Sequence, residues 1–172
     1  MQWLMDCLGR ILRAVADFVD RCLPRYEPAV WNSNPTVQKW NNCYNYACDT
    51  QTNTYAQPGH AHGILLNWPV DAACDPVTRG AIADGLTPVN CDEGCGCSEC
   101  HHQVALVIAP GFDYHWYRKD RDGRWSHKLA DSPATNLDNA NQLITDPRTA
   151  NRGPYTVFCG CFCVNKSQVV IS

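Results

Sequence analysis

One cysteine and two histidines in this chain have the types and spacing of an acyl-transfer centre. Cys43 lies in the run Gln38-Lys39-Trp40-Asn41-Asn42-Cys43-Tyr44-Asn45-Tyr46. Asn41 or Asn42 can cap a helix there. Cys43 then falls on its first turn, where free backbone N–H groups and the helix dipole favour negative charge. A thiolate in that place is expected to have a lowered pKa and to be a nucleophile at neutral pH. It needs an imidazole to take its proton, and the imidazole needs a third group to orient it. His115 and His127 flank the turn signal Asp122-Gly123. Two strands meeting at that turn run antiparallel, and both histidines can share one face. One ring could then face Cys43 while the other fixes its tautomer. The backbone N–H of Cys43 is available to an oxyanion by position. Cys48 and His102 are the internal rivals. Cys48 lies a turn later, and His102 has no second histidine on a partner strand.

The elements that must position these residues are readable from periodicity. Residues 2–23 repeat apolar side chains at three and four (Leu4, Leu8, Ile11, Leu12, Val15, Phe18, Val19), which predicts an N-terminal amphipathic helix. It is expected to dock on the domain's own core, with docking on a partner as the alternative. Pro24 and Pro28 end it, and residues 24–36 read as an extended connector. A helix is expected from about Asn42 to Thr50, and another over Asp75–Ala83. The second half reads as strands. Val104–Ala109 is a continuous apolar run, residues 114–118 and 124–128 form the hairpin, and Tyr155–Val164 is a last buried strand. The division is 1–30 for the helix and connector and 31–172 for the domain proper.

Asn-Cys-Tyr at a helix start, followed by His-Trp-Tyr-Arg and then Asp-Gly-Arg-Trp-Ser-His, resembles the NlpC-type papain-like cysteine peptidases and amidases. The resemblance covers roughly residues 36–130. It implies an α+β, papain-like fold in which a nucleophile-bearing helix packs on an antiparallel sheet, here with the added N-terminal amphipathic helix. It implies Cys43 as nucleophile, His115 as base and His127 as orienting group. Gln38 lies close to where papain-like enzymes carry an oxyanion-donating glutamine. The implied activity is hydrolysis of an amide bond in a peptide or a peptidoglycan-like substrate. The same triad would serve an acyltransferase or deamidase.

A second cluster competes for the organising role. Cys91-Asp92-Glu93-Gly94-Cys95-Gly96-Cys97-Ser98-Glu99-Cys100-His101-His102 packs six soft ligands into twelve residues. Cys91, Cys95, Cys97 and Cys100, with His101 or His102, are candidate ligands of a structural zinc. Disulfides are the alternative use of the same sulfurs. Catalysis would need no cofactor. If the cluster organises the chain and Cys43 is simply buried, the protein is a metal- or disulfide-stapled binding module without catalysis. Cys159, Cys161 and Cys163 alternate and are expected to share one strand face as small core residues. Pairing of one of them to Cys7, Cys22 or Cys74 remains open. His60 and His62 have no assigned role.

Bulk properties bound the reading. At 172 residues, 45% of them hydrophobic, the chain can build one core. A net charge of −3 gives no nucleic-acid footprint. No apolar run is long enough to span a bilayer. Asp6, Arg10, Arg13 and Asp17 interrupt any leader-like apolar stretch. The expected location is therefore cytoplasmic, or outside the cell by a leaderless route.

Overall fold

The computed structural model describes residues 5, 7–13, 23–95 and 100–172. Its centre is a six-stranded antiparallel sheet in the order β1-β6-β2-β3-β4-β5, with β1 Thr87–Val89, β2 His101–Ala109, β3 Asp113–Lys119, β4 Trp125–Lys128, β5 Ala134–Thr135 and β6 Val157–Asn165. Short helices lie around it: α1 Pro28–Asn32, α2 Pro35–Trp40, α3 Cys43–Ala47 and α4 Cys74–Ala83. The papain-like expectation is corrected here. No long helix carries Cys43, because α3 has only five residues. The architecture is a disulfide-stapled antiparallel sheet with short helices around it.

The two strand faces are closed by different means. On one, Val104, Leu106, Ile108, Trp116, Phe162 and Val164 pack with Tyr44 and Ala47 of α3 and Val77 and Ala81 of α4. On the other, Ala105, Val107, Tyr117 and Cys161 pack with Trp125, Ile144 and Tyr155. That second layer comes largely from irregular chain between β5 and β6. Each of the central strands β2 and β3 is therefore buried on both faces, which is why Val104–Ala109 is apolar without alternation.

A bulge decides where the cysteines of β6 point. Leu106 pairs with Gly160, but Val107 pairs with Phe158, so Cys159 is an extra residue in the ladder. Gly160 takes φ +139°, a conformation L side chains rarely adopt. Cys159 is thereby turned to the α4 side, where it is bonded to Cys74. Cys161 and Cys163 are bonded to Cys91 and Cys95 instead. The expectation that all three sulfurs share a face as free core thiols is corrected. These disulfides suit an oxidising compartment, which favours the location outside the cell over the cytoplasmic one of the two expected.

The connector at 24–36 is not extended throughout. Pro28 and Pro35 each start a helix, and Asn34 caps the second by accepting from the N–H groups of Thr36 and Val37. Arg118 anchors this region to the sheet. Its guanidinium, 1% exposed, donates to Asp120, to Asp49, to the Tyr46 hydroxyl and to the Arg25 carbonyl, and lies 4.1 Å from the Tyr46 ring centroid. Of the predicted N-terminal helix, positions 5 and 7–13 are helical, and Leu8, Ile11 and Leu12 are exposed there. The rest of that prediction lies outside the described residues. Among the described residues no helix is long and apolar enough to cross a membrane.

Candidate functional site

Cys43 is the first residue of α3, and Asn42 is the cap. The Asn42 side chain accepts from the N–H groups of Tyr44 (3.0 Å) and Asn45 (3.1 Å), and the Asn45 side chain accepts from the N–H of Asn42 in return. This is a full capping box built from two asparagines. Asn42 also donates to the Ala56 carbonyl, which ties the cap to the following loop.

The electrostatics of the thiol reverse the sequence expectation. Cys43 is 6% exposed, and burial pushes its pKa up to about 12, with the Asp113 carboxylate adding to the rise. The backbone N–H groups of Trp116 and Tyr44 and the charge of Lys128 pull it down by less. Desolvation outweighs a five-residue helix dipole, so the sulfur is a neutral thiol at pH 7. Cys48 is likewise buried and raised, by burial first and then by Asp84.

The hairpin does bring the two histidines together. His127 lies opposite Tyr117, and its Nδ1 is 2.8 Å from Nε2 of His115. The tautomers follow from the partners. His127 Nε2 is 3.0 Å from the Leu137 carbonyl, which can only accept, so Nε2 carries the hydrogen. His127 Nδ1 is then an acceptor, and His115 Nε2 donates to it. His115 Nδ1 is left as a buried lone pair without a partner among the described residues. Burial holds the His115 pKa well below the usual histidine value, with His127 adding to the fall, and burial lowers His127 as well. Both rings are neutral.

Cys43 and His115 share the wall of one cavity of about 230 Å³, together with Tyr55, Trp68, Phe112 and Asp113. No hydrogen bond joins the thiol to the imidazole, since His115 Nδ1 has none. Gln38 is not in that wall. Its side-chain amide donates to the Asp131 carbonyl at 3.2 Å, and its own carbonyl accepts from Lys128. The rival base His102 is buried elsewhere, with Nε2 donating to the Ala47 carbonyl at 2.7 Å.

The zinc expectation is corrected by the sulfurs themselves. Cys91 and Cys95 are oxidised, Cys100 is disulfide-bonded as well, and Cys97 lies outside the described residues. A disulfide offers no thiolate to a metal. Among the described residues no group of three or more His, Cys, Asp or Glu side chains is placed to hold a metal ion. Sequence reasoning missed the Arg118 cluster and the aromatic wall at Trp68 and Phe112. Phe112 beside the Pro110-Gly111 turn was the available signal for the latter.

The chain matches "Insoluble matrix shell protein 1" of Ruditapes philippinarum, with 46% identity over 140 residues, which is 81% of this chain and 88% of that protein. The chain belongs to that protein's family. No family model matches, and no solved structure matches. Membership in the shell matrix protein family overturns the resemblance to NlpC-type peptidases, and with it the expectation of a cysteine hydrolase, thiol protease or amidase. The order and spacing of Cys43, His115 and His127 are real, but the relative sharing nearly half of this chain's residues over that length is named an insoluble matrix shell protein.

Proposed function

We propose that this chain is a non-catalytic structural component of an insoluble extracellular matrix of the shell type. The family relationship carries the reading, because it spans most of both chains. Three physical features support it. The thiol that an enzyme would use is protonated and buried. The disulfides Cys74–Cys159, Cys91–Cys161 and Cys95–Cys163 tie the segment before β2 to β6, a covalent reinforcement suited to an oxidising exterior. Both core faces of the central sheet are filled by the chain's own residues.

The test is fractionation of the tissue that makes the protein, followed by mass spectrometry of each fraction. A matrix component is recovered from the extracellular material that resists salt and detergent. Recovery mainly from the soluble cell extract, with Cys74, Cys91 and Cys95 reduced, would overturn the proposal.

A further inference from the structure

The cavity beside Cys43 has the chemistry of a cation site. Its wall carries aromatic side chains and one carboxylate. Trp68 and Tyr114 stack with ring centroids 5.2 Å apart, Tyr55 is half-buried, and Phe112 at the mouth is 68% exposed. Asp113 accepts from the Tyr114 N–H and from the Tyr155 hydroxyl, yet no cation pairs with it among the described residues. The nearby Lys128 ammonium is committed to the carbonyls of Gln38 and Ala130. His115 adds a neutral ring whose free nitrogen is an acceptor. A carboxylate without a cationic partner, set among aromatic side chains, is an arrangement that attracts an ammonium group. At about 230 Å³ the space suits one side chain better than a drug-sized ligand.

We propose that this cavity binds the primary ammonium of a lysine side chain presented by a neighbouring protein chain, with the straight apolar stem against Trp68 and Phe112 and the charge at Asp113. The inference rests on the cavity alone and does not depend on the matrix role. It gives the protein a non-covalent means of joining lysine-bearing partners.

Calorimetric titration of the full chain tests it with three blocked tripeptides, acetyl-Gly-X-Gly-amide, where X is lysine, Nε-acetyl-lysine or norleucine. The lysine peptide is expected to bind about tenfold more tightly than the other two, a difference of about 1.4 kcal/mol. Asp113→Asn should remove that preference. Phe112→Ala, at an exposed position that leaves the fold intact, should weaken the lysine peptide several-fold. Equal binding of the norleucine peptide, no binding of the lysine peptide at millimolar concentration, or an unchanged preference in folded Asp113→Asn would each overturn the proposal. A fourth titration uses n-butylammonium. It carries the same stem and charge and is expected to bind about as tightly as the lysine peptide; no binding at millimolar concentration would overturn the proposal.

Discussion

Removing single disulfides should not cost equal amounts, although their separations in sequence are similar. Cys74–Cys159 spans 85 residues and Cys95–Cys163 spans 68. Treated alone, loop-closure entropy makes them worth about 4.6 and 4.4 kcal/mol. Each bond, however, closes its ring in a chain already held by Cys91–Cys161. With that bond intact, Cys74–Cys159 closes a ring of roughly 19 residues, worth about 3.2 kcal/mol, and Cys95–Cys163 one of roughly 6, worth about 2.2 kcal/mol. The double variant Cys74→Ala/Cys159→Ala should therefore lose about 1 kcal/mol more than Cys95→Ala/Cys163→Ala. Equilibrium urea unfolding without reductant measures this. With a slope near 2 kcal/mol per molar, the midpoints should fall by about 1.6 M and about 1.1 M. Equal losses, or a larger loss for the Cys95–Cys163 pair, would refute the idea that the three interleaved bonds act as one staple.

Three further outcomes are expected. Cys43 should resist iodoacetamide in the native protein at pH 7, while the exposed thiol of Cys7 reacts, as peptide mapping would show. Arg118→Met should lower stability by about 3–5 kcal/mol, because Asp120 stays buried without its cation; thermal unfolding reads this. Burial holds His102 down to about 4, below its unfolded value near 6.5. The unfolded state binds the proton first, so His102 contributes its full stability above about pH 6.5 and loses it as pH falls towards 4, by about 3 kcal/mol in all. His102→Gln, which can keep the donor to Ala47, should flatten the urea midpoint over that range by a corresponding amount, against a background slope from the other lowered histidines, His115 and His127.

What was legible in the sequence was local. The Asp122-Gly123 turn, the apolar run of β2, the asparagine cap before Cys43 and the helix over Asp75–Ala83 each depend on neighbours in the chain, and each is present. The juxtaposition of His115 and His127 follows from the same hairpin, since a turn fixes its own register. What was not legible depends on distant residues. Disulfide connectivity cannot be deduced from cysteine spacing, and here it turns on a bulge at Gly160. The sign of the Cys43 shift depends on how deeply α3 packs, while its helix-start position predicts only the smaller opposing effect. Pro28 reads as a helix end and residues 24–36 as an extended connector, but a proline at the first helical position starts a helix as readily as it ends one, and Pro28 and Pro35 both do so. The peptidase resemblance rested on the order of a capped cysteine and a histidine-bearing hairpin. Capping and hairpin rules place such residues for structural reasons alone.

The sheet edges say how a matrix could be built from this fold. An open edge strand is the usual template for strand-by-strand association. Here the edges are β1, three residues with Pro88 in the middle, and β5, two residues. Proline removes one ladder donor, and a two-residue strand offers too few for a stable pairing. The six-stranded sheet therefore ends rather than propagates. Insolubility in the proposed role must then come from contacts between side chains or from covalent links between chains, with each sheet kept intact. A lysine-accepting cavity and an internally stapled core are consistent with that division, in which the fold stays closed and its surface does the joining.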